Sequence, residues 1–140
     1  MTAPKHKRKA QRRARQAAFR RGVLGEWLAL AFLSLKAYRL VARRCRLPEG
    51  EVDLIMRRRG VLAFVEVKTG GMLQQRADAV AGGRQAQRIA GAAEAFVRRR
   101  PRLAGLERRF DLVLVHPWRL PQHIPGALRR APERGLQRAG

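Results

Sequence analysis

Glu51-Val52-Asp53-Leu54-Ile55-Met56-Arg57 and Val61-Leu62-Ala63-Phe64-Val65-Glu66-Val67-Lys68, joined by Arg58-Arg59-Gly60, form the stretch from which the fold is read. Two apolar runs separated by a short link containing glycine predict a β-hairpin. A turn centred between Arg59 and Gly60 sets Asp53 opposite Glu66 and Glu51 opposite Lys68. Directly opposed side chains have Cβ atoms about 4.5–5.5 Å apart, so two carboxylates placed there repel unless a cation lies beside them. Alternation turns Glu66 and Lys68 to one face of the strand and Val65 and Val67 to the other. An Asp, a Glu and a Lys are therefore expected to converge at the open end of the hairpin.

Upstream, Val23, Leu24, Trp27, Leu28, Ala31 and Leu35 recur at helical spacing and predict a helix apolar over most of its circumference, a core helix. Trp27 and Tyr38 are expected in the core. Tyr38 to Arg43 reads as a short strand, and residues 70–83, with four glycines, as a mobile loop. A second helix, about Gln85 to Arg99, sets Ile89, Ala92, Ala93, Phe96 and Val97 on one face and is stopped by Pro101. Phe110 to Val115 has the continuous apolar character of a strand covered on both faces. Helix, hairpin, helix and buried strand make a mixed α/β domain. The segment holding Pro117, Pro121, Pro125 and Pro132 is expected to wrap the surface and shows no readable chemistry. The expected organisation is a basic arm over 1–21, a folded domain over 22–130 and a C-terminal tail over 131–140.

Composition constrains the partner more than the fold. The 140 residues correspond to one domain, and 46% hydrophobic content supplies a modest core. Against 32 Lys and Arg stand only 10 Asp and Glu, a formal net charge of +22. Such a surface calls for a polyanion, with nucleic acid as the first choice and DNA ahead of RNA. Residues 1–21 hold nine Lys or Arg and no acid, a segment disordered or fraying into helix when free. Lys5, Lys7, Arg8, Lys9, Arg12 and Arg13 of this arm, with Arg84 and Arg88 at the start of the second helix, are the expected phosphate contacts. The apolar run from Trp27 to Leu33 is too short to span a membrane, and no cleavage site follows it. The single Cys45 excludes an intramolecular disulfide and suits a reducing compartment, so the expected location is the cytoplasm without a membrane partner. The sequence leaves a homodimer open.

With acids so scarce, their placement carries information. Glu26, Asp53, Glu66 and Asp111 fall on apolar segments. A carboxylate taken out of water needs a cation or a hydrogen-bonding partner, or it neutralises. A divalent cation would satisfy Asp53 and Glu66 together, and Glu26, brought by the first helix, would complete its site. Magnesium takes one or two carboxylates plus water and phosphate oxygens, and manganese can replace it. The Lys68 ammonium would hold the attacking water or offset developing negative charge. Glu51 would pair with Lys68 or support the site from behind. Asp111, close to Arg109, reads as a structural ion pair. His6, His116 and His123 lack both metal-ligand spacing and a catalytic partner in sequence.

Asp53 followed by Glu66-x-Lys68 resembles the PD-(D/E)xK core of restriction-endonuclease-like nucleases. More closely, the chain resembles the small bacterial YraN family placed within that superfamily. Gly22 to Glu26 with Leu28-Ala29 are similar to its opening helix. Gly50-Glu51-Val52-Asp53-Leu54-Ile55 resembles its Gly-Glu-Ile-Asp-Leu-Ile segment, Phe64-Val65-Glu66-Val67-Lys68 its Phe-Val-Glu-Val-Lys strand, and Arg109-Phe110-Asp111 its Arg-Phe-Asp. The resemblance spans roughly residues 20–128. Two positions depart from the family pattern. Gly70 stands where a basic or larger residue is commoner, and Arg84 where Lys is frequent.

The resemblance implies a restriction-endonuclease-like fold, with a central mixed β-sheet flanked by helices. It also implies a metal site from Glu26, Asp53 and Glu66, with Lys68 as the fourth catalytic residue. The implied activity is Mg²⁺- or Mn²⁺-dependent hydrolysis of phosphodiester bonds in structured or branched DNA, since no segment reads as a base-specific recognition helix. The competing expectation is an accessory protein that keeps the fold and binds nucleic acid without cutting it.

Overall fold

Alternation along the hairpin strands buries both faces of a sheet. A computed structural model describes residues 4–70 and 84–127, without the side chains of 17–21, 84 and 85. Helix α1 (Lys5–Leu35) leads into strands β1 (Arg39–Leu47), β2 (Gly50–Arg58) and β3 (Val61–Thr69). Helix α2 (Arg84–Arg98), a short 3-10 turn (Pro101–Leu103), β4 (Glu107–Val115) and β5 (Gln122–Ile124) complete the described chain. The strands form one sheet in sequence order, antiparallel except where β3 and β4 run parallel with α2 between them in the chain.

The hairpin has the expected register. Arg58 faces Val61 and Leu54 faces Val65 across a turn at Arg59-Gly60, with Arg59 at φ 52°. One sheet face sets Ile55, Leu62 and Phe64 against Ile89, Ala93 and Phe96 of α2. Phe64 and Phe96 meet edge to face, their centroids 6.2 Å apart, a favoured aromatic geometry. The other face sets Leu54, Met56, Ala63 and Val65 against Ala29 and Leu33 of α1 and against Tyr38. The architecture is the mixed α/β class expected, with helices flanking a central mixed sheet.

Helix α1 differs from expectation in two ways. It begins at Lys5, so the basic segment and the apolar segment are one helix. Ala, Gln, Lys and Arg are strong helix formers, and Pro4 stands at the N-cap with no further proline before Leu35. Nor is α1 a core helix. Among the described residues its buried positions are Gly25, Ala29 and Leu33, a narrow stripe at four-residue spacing, while Leu24, Leu28 and Leu35 are exposed. Trp27 is half exposed and lies under the Arg43 guanidinium, 4.0 Å from its ring centroid, a cation–π contact in place of core packing. Tyr38 is buried as expected. No helix among the described residues is long and apolar enough to cross a membrane. The glycine-rich loop lies almost wholly outside the described residues, as does the tail over 131–140.

The proline-rich segment does more than wrap the surface. It contributes β5, which carries His123 to Asp111. Asp111 is fully buried and accepts hydrogen bonds from Arg109 Nε and Nη2 (both 2.8 Å), from His123 Nε2 (2.8 Å) and from the Gly126 backbone N–H (3.0 Å). Arg109 also donates to the Tyr38 hydroxyl at 2.6 Å, and Lys36 Nζ lies 2.9 Å from His123 Nδ1. An acceptor on one ring nitrogen and an ammonium donor on the other are satisfied together by a neutral imidazole protonated at Nε2. Asp111 is thus the structural ion pair expected, and it ties β4, β5 and the end of α1 together.

Burial alone would raise the Asp111 carboxyl, but the bonds from Arg109, His123 and Gly126 outweigh it and hold the group at about 2. Because this lies below the ordinary 3.8, the stabilisation is complete above about pH 4 and is lost as pH falls toward 2. Asp111→Asn should therefore lower unfolding free energy at pH 7 by about 3–5 kcal/mol, the usual cost of breaking a buried ion pair. Urea unfolding of both proteins at pH 7 and pH 3 checks this, with the gap between them narrowing at the lower pH.

Candidate functional site

The hairpin ladder ends where the acids begin. Its last backbone pair is Leu54 and Val65, so continuing the register by one residue sets Asp53 opposite Glu66. There the strands part. The Val67 N–H is taken by the Asp53 side chain, donating to Oδ2 at 2.8 Å. On β2, Val52 packs on the α2 side while Leu54 packs on the α1 side, although undisturbed alternation would turn both one way. β2 therefore kinks at Asp53. Across from the kink, between the pairs Arg43–Leu54 and Cys45–Val52, Arg44 of β1 stands at φ 47°.

Glu66 and Lys68 share one face of β3, as expected, and Lys68 Nζ lies 3.1 Å from Glu66 Oε1. Both side chains are largely buried, a placement tolerated for paired charges. Alternation from Leu62 and Phe64 sets them on the α2 side. Glu26 arrives from the other side, on α1. It is brought in by its neighbour Gly25, whose backbone lies so close to Thr69 that an added Cβ would collide with the Thr69 methyl group. Glu26 Oε2 accepts a 2.7 Å bond from Arg44 Nε. That bond and the attraction of the carboxylates hold the Arg44 guanidinium even more firmly in its charged form. Arg44 is a site residue that sequence reading missed. Its signal is the left-handed backbone, which cannot be inferred from the Arg43-Arg44 pair.

Asp53 shows the electrostatic consequence. Burial first, and then the charge of Glu66, push its carboxyl up to about 7, against the opposing pull of the Val67 N–H and Lys68. Glu26 adds to the upward push. This is a carboxylate short of positive charge. Asp53 and Glu66 supply the hard oxygen donors that Mg²⁺ or Mn²⁺ prefers, and two carboxylates suffice with water completing the shell. Among the described residues no three His, Cys, Asp or Glu side chains converge closely enough to hold a metal ion. The donor set thus fits a metal through Asp53 and Glu66, while Glu26 is engaged by Arg44.

Other predicted residues are dispersed. Glu51 faces Arg46 on β1, with the charged atoms 3.7 Å apart, and not Lys68. The pairing with Lys68 needs a longer ladder than the one that ends at Leu54. Lys5, Lys7, Arg8, Lys9, Arg12 and Arg13 are exposed along the first turns of α1. At 1.5 Å rise per residue, Lys5 lies about 30 Å along the helix from Glu26. Arg88 is exposed on α2, where its backbone carbonyl would lie 3.2 Å from a Cβ added at Gly50. Arg84 opens α2, but its side chain lies outside the described residues.

A mixed sheet with helices on both faces and Asp53, Glu66 and Lys68 at its open end has the form of a restriction-endonuclease-like fold. The chain belongs to the uncharacterised protein family UPF0102, the YraN family, whose pattern matches residues 25–115. It is 51% identical over 118 residues to a UPF0102 protein of Rhodopseudomonas palustris (strain BisB18), covering 84% of this chain and 87% of the relative. UPF0102 protein amb4503 of Paramagnetospirillum magneticum is 50% identical over 121 residues, covering 84% and 93% respectively. UPF0102 protein BRADO0179 of Bradyrhizobium sp. (strain ORS 278) is 49% identical over 118 residues, covering 84% and 83%.

Two substitutions check this geometry. In a chelating buffer the raised Asp53 carboxyl gives the folded state more bound protons than the unfolded state, so Asp53 costs stability increasingly as pH rises from 3.8 to about 7. Asp53→Asn should raise the melting temperature at pH 8 by several degrees and change it little at pH 4, in parallel thermal scans. Gly25→Ala should destabilise by about 1–3 kcal/mol through overpacking on Thr69. Adding Thr69→Ser, which removes the obstructing methyl group, should restore most of the loss in a double-mutant cycle.

Proposed function

We propose that this chain hydrolyses phosphodiester bonds of DNA with a divalent cation, Mg²⁺ or Mn²⁺, held by Asp53 and Glu66. The observation that supports this most directly is the end of the hairpin ladder. The strands separate at the position where two carboxylates would oppose each other, with an ammonium 3.1 Å from one of them. A purely structural site would satisfy Asp53 as Asp111 is satisfied. Asp53 instead accepts a hydrogen bond from the Val67 N–H and has two carboxylates acting on it.

Each residue has a task in this reading. Val67 orients the Asp53 carboxylate toward the cleft, and Glu66 presents a second oxygen donor. The bound cation would lower the pKa of water and stabilise charge on the phosphate. Lys68 poises the attacking water or offsets negative charge developing on the phosphate oxygens. Glu26 adds a third carboxylate when it exchanges its bond with Arg44 for the cleft. The excess of Lys and Arg supplies affinity through phosphate contacts that carry no sequence information, which suits recognition of structured or branched DNA by shape.

One observation favours the alternative, an accessory protein that binds without cutting: Glu26 is engaged by Arg44. Labelled single-stranded, duplex, flap and four-way-junction DNA incubated with Mg²⁺ or Mn²⁺ separates the readings. Wild type should cut, while Asp53→Ala and Lys68→Ala should cut at least 100-fold more slowly, about the lower end of what positioned acid–base or electrostatic groups contribute. Both variants should bind as wild type does. Binding of every substrate without cleavage by wild type would establish the accessory reading.

A further inference from the structure

At the turn end of the hairpin, away from Asp53 and Glu66, an open cavity of about 280 Å³ is lined by Tyr38, Arg58, Arg59, Val61 and Arg109. Three guanidiniums in so small a space repel one another unless anions intervene. Asp111 neutralises one of them, Arg109. Among the described residues, neither Arg58 nor Arg59 has a carboxylate within ion-pair distance. The cavity therefore carries uncompensated positive charge.

Its donors are also pre-positioned. Arg109 commits Nε to Asp111 and Nη2 to Asp111 and Tyr38, which fixes the guanidinium plane and leaves the two N–H groups of Nη1 outside these bonds. The guanidinium carbon of Arg58 lies 5.3 Å from the Tyr38 ring centroid, so stacking on a buried ring restricts that side chain as well. Arg59 occupies the turn at φ 52°, a conformation glycine adopts more readily. Guanidinium forks match the oxygen geometry of phosphate and can engage it through paired bonds. The volume corresponds to roughly nine waters at about 30 Å³ each, room for a phosphate and its immediate ester group.

We infer that this cavity is a phosphate-ester binding site, distinct from the carboxylate cleft. Val61 and Glu66 are five residue steps apart along β3, about 17 Å at strand spacing. Glu66 also lies on the face of the sheet opposite Arg109. Arg109 is the neighbour of Ala63, which faces α1, whereas alternation turns Glu66 toward α2. A phosphate in the cavity consequently does not compete with one in the cleft. The same chemistry is offered by a nucleic-acid backbone and by a free nucleotide.

The test measures binding in EDTA, so it requires neither cleavage nor a metal and stands apart from the nuclease reading. Full-length wild type is compared with Arg58→Gln/Arg59→Gly, in which glycine relieves the left-handed turn position and protects folding. Arg99→Gln/Arg102→Gln removes the same charge from exposed positions outside the cavity and serves as the control. Fluorescence anisotropy with a labelled DNA duplex is measured across salt concentrations, alongside thermal-shift titrations with AMP and with inorganic phosphate. If the source is a nucleic-acid backbone, the cavity variant binds duplex about tenfold more weakly than the control, with a salt slope smaller by one to two. If the source is a free nucleotide, the cavity variant loses the AMP-induced thermal shift while duplex binding matches the control. A cavity variant indistinguishable from the control in duplex binding and in both thermal titrations overturns the inference.

Discussion

Everything at the candidate centre follows from one constraint: two carboxylates cannot sit opposite each other in an uninterrupted β-ladder. Asp53 and Glu66 would be cross-strand neighbours if the pairing continued past Leu54 and Val65. Their repulsion at that separation works against the few kcal/mol that ladder bonds and side-chain pairing provide. The chain resolves the conflict by parting the strands. The Asp53 side chain takes the place of a backbone acceptor for Val67, β2 kinks, and Arg44 adopts a left-handed backbone across from it. The opening so produced brings in Glu26, through a helix whose approach to Thr69 permits only glycine at position 25.

Asp53 and Asp111 show how environment divides one residue type between two roles. Both lie on apolar strands and both are withdrawn from water. Asp111 gathers donors from a guanidinium, an imidazole and a backbone amide, and its carboxyl is held at about 2. Asp53 has one amide donor and two carboxylates acting on it, and its carboxyl is pushed up to about 7. A fully satisfied buried charge fixes structure, while an under-satisfied one retains affinity for a cation. The contrast supports reading the open end of the hairpin as the reactive one.

Local pattern made the hairpin register, the α2 face and the shared face of Glu66 and Lys68 legible, because alternation and helical periodicity depend only on neighbours in sequence. The failures have equally definite causes. Val23, Leu24, Trp27 and Leu28 carry the periodicity of a buried helix, but periodicity cannot tell which side of a largely apolar helix meets the sheet. The small residues Gly25 and Ala29 decide that by allowing closer approach. β5 is three residues long and is held by Asp111 through His123, a contact across sequence that no local pattern records. The Glu51–Lys68 pairing assumed an ideal ladder and failed where the two acids break it. Arg44 escaped notice because a left-handed arginine has no signature in its own neighbourhood.

The continuity of α1 changes how the charge is deployed. An arm joined to the domain by a loop would sample many directions and lose orientation entropy on binding. Here Lys5 and Glu26 lie on one helix, about 30 Å apart along its axis, comparable to nine base pairs of duplex at 3.4 Å each. The described cations of that span, from Lys5 to Arg15, are exposed, and the sequence between Lys5 and Glu26 holds no acid. A duplex following the helix would therefore be directed toward the end that carries Glu26. Gly25 anchors this arrangement, since it is where α1 comes close enough to Thr69 to leave no room for a Cβ, and the basic length runs outward along the helix from that contact.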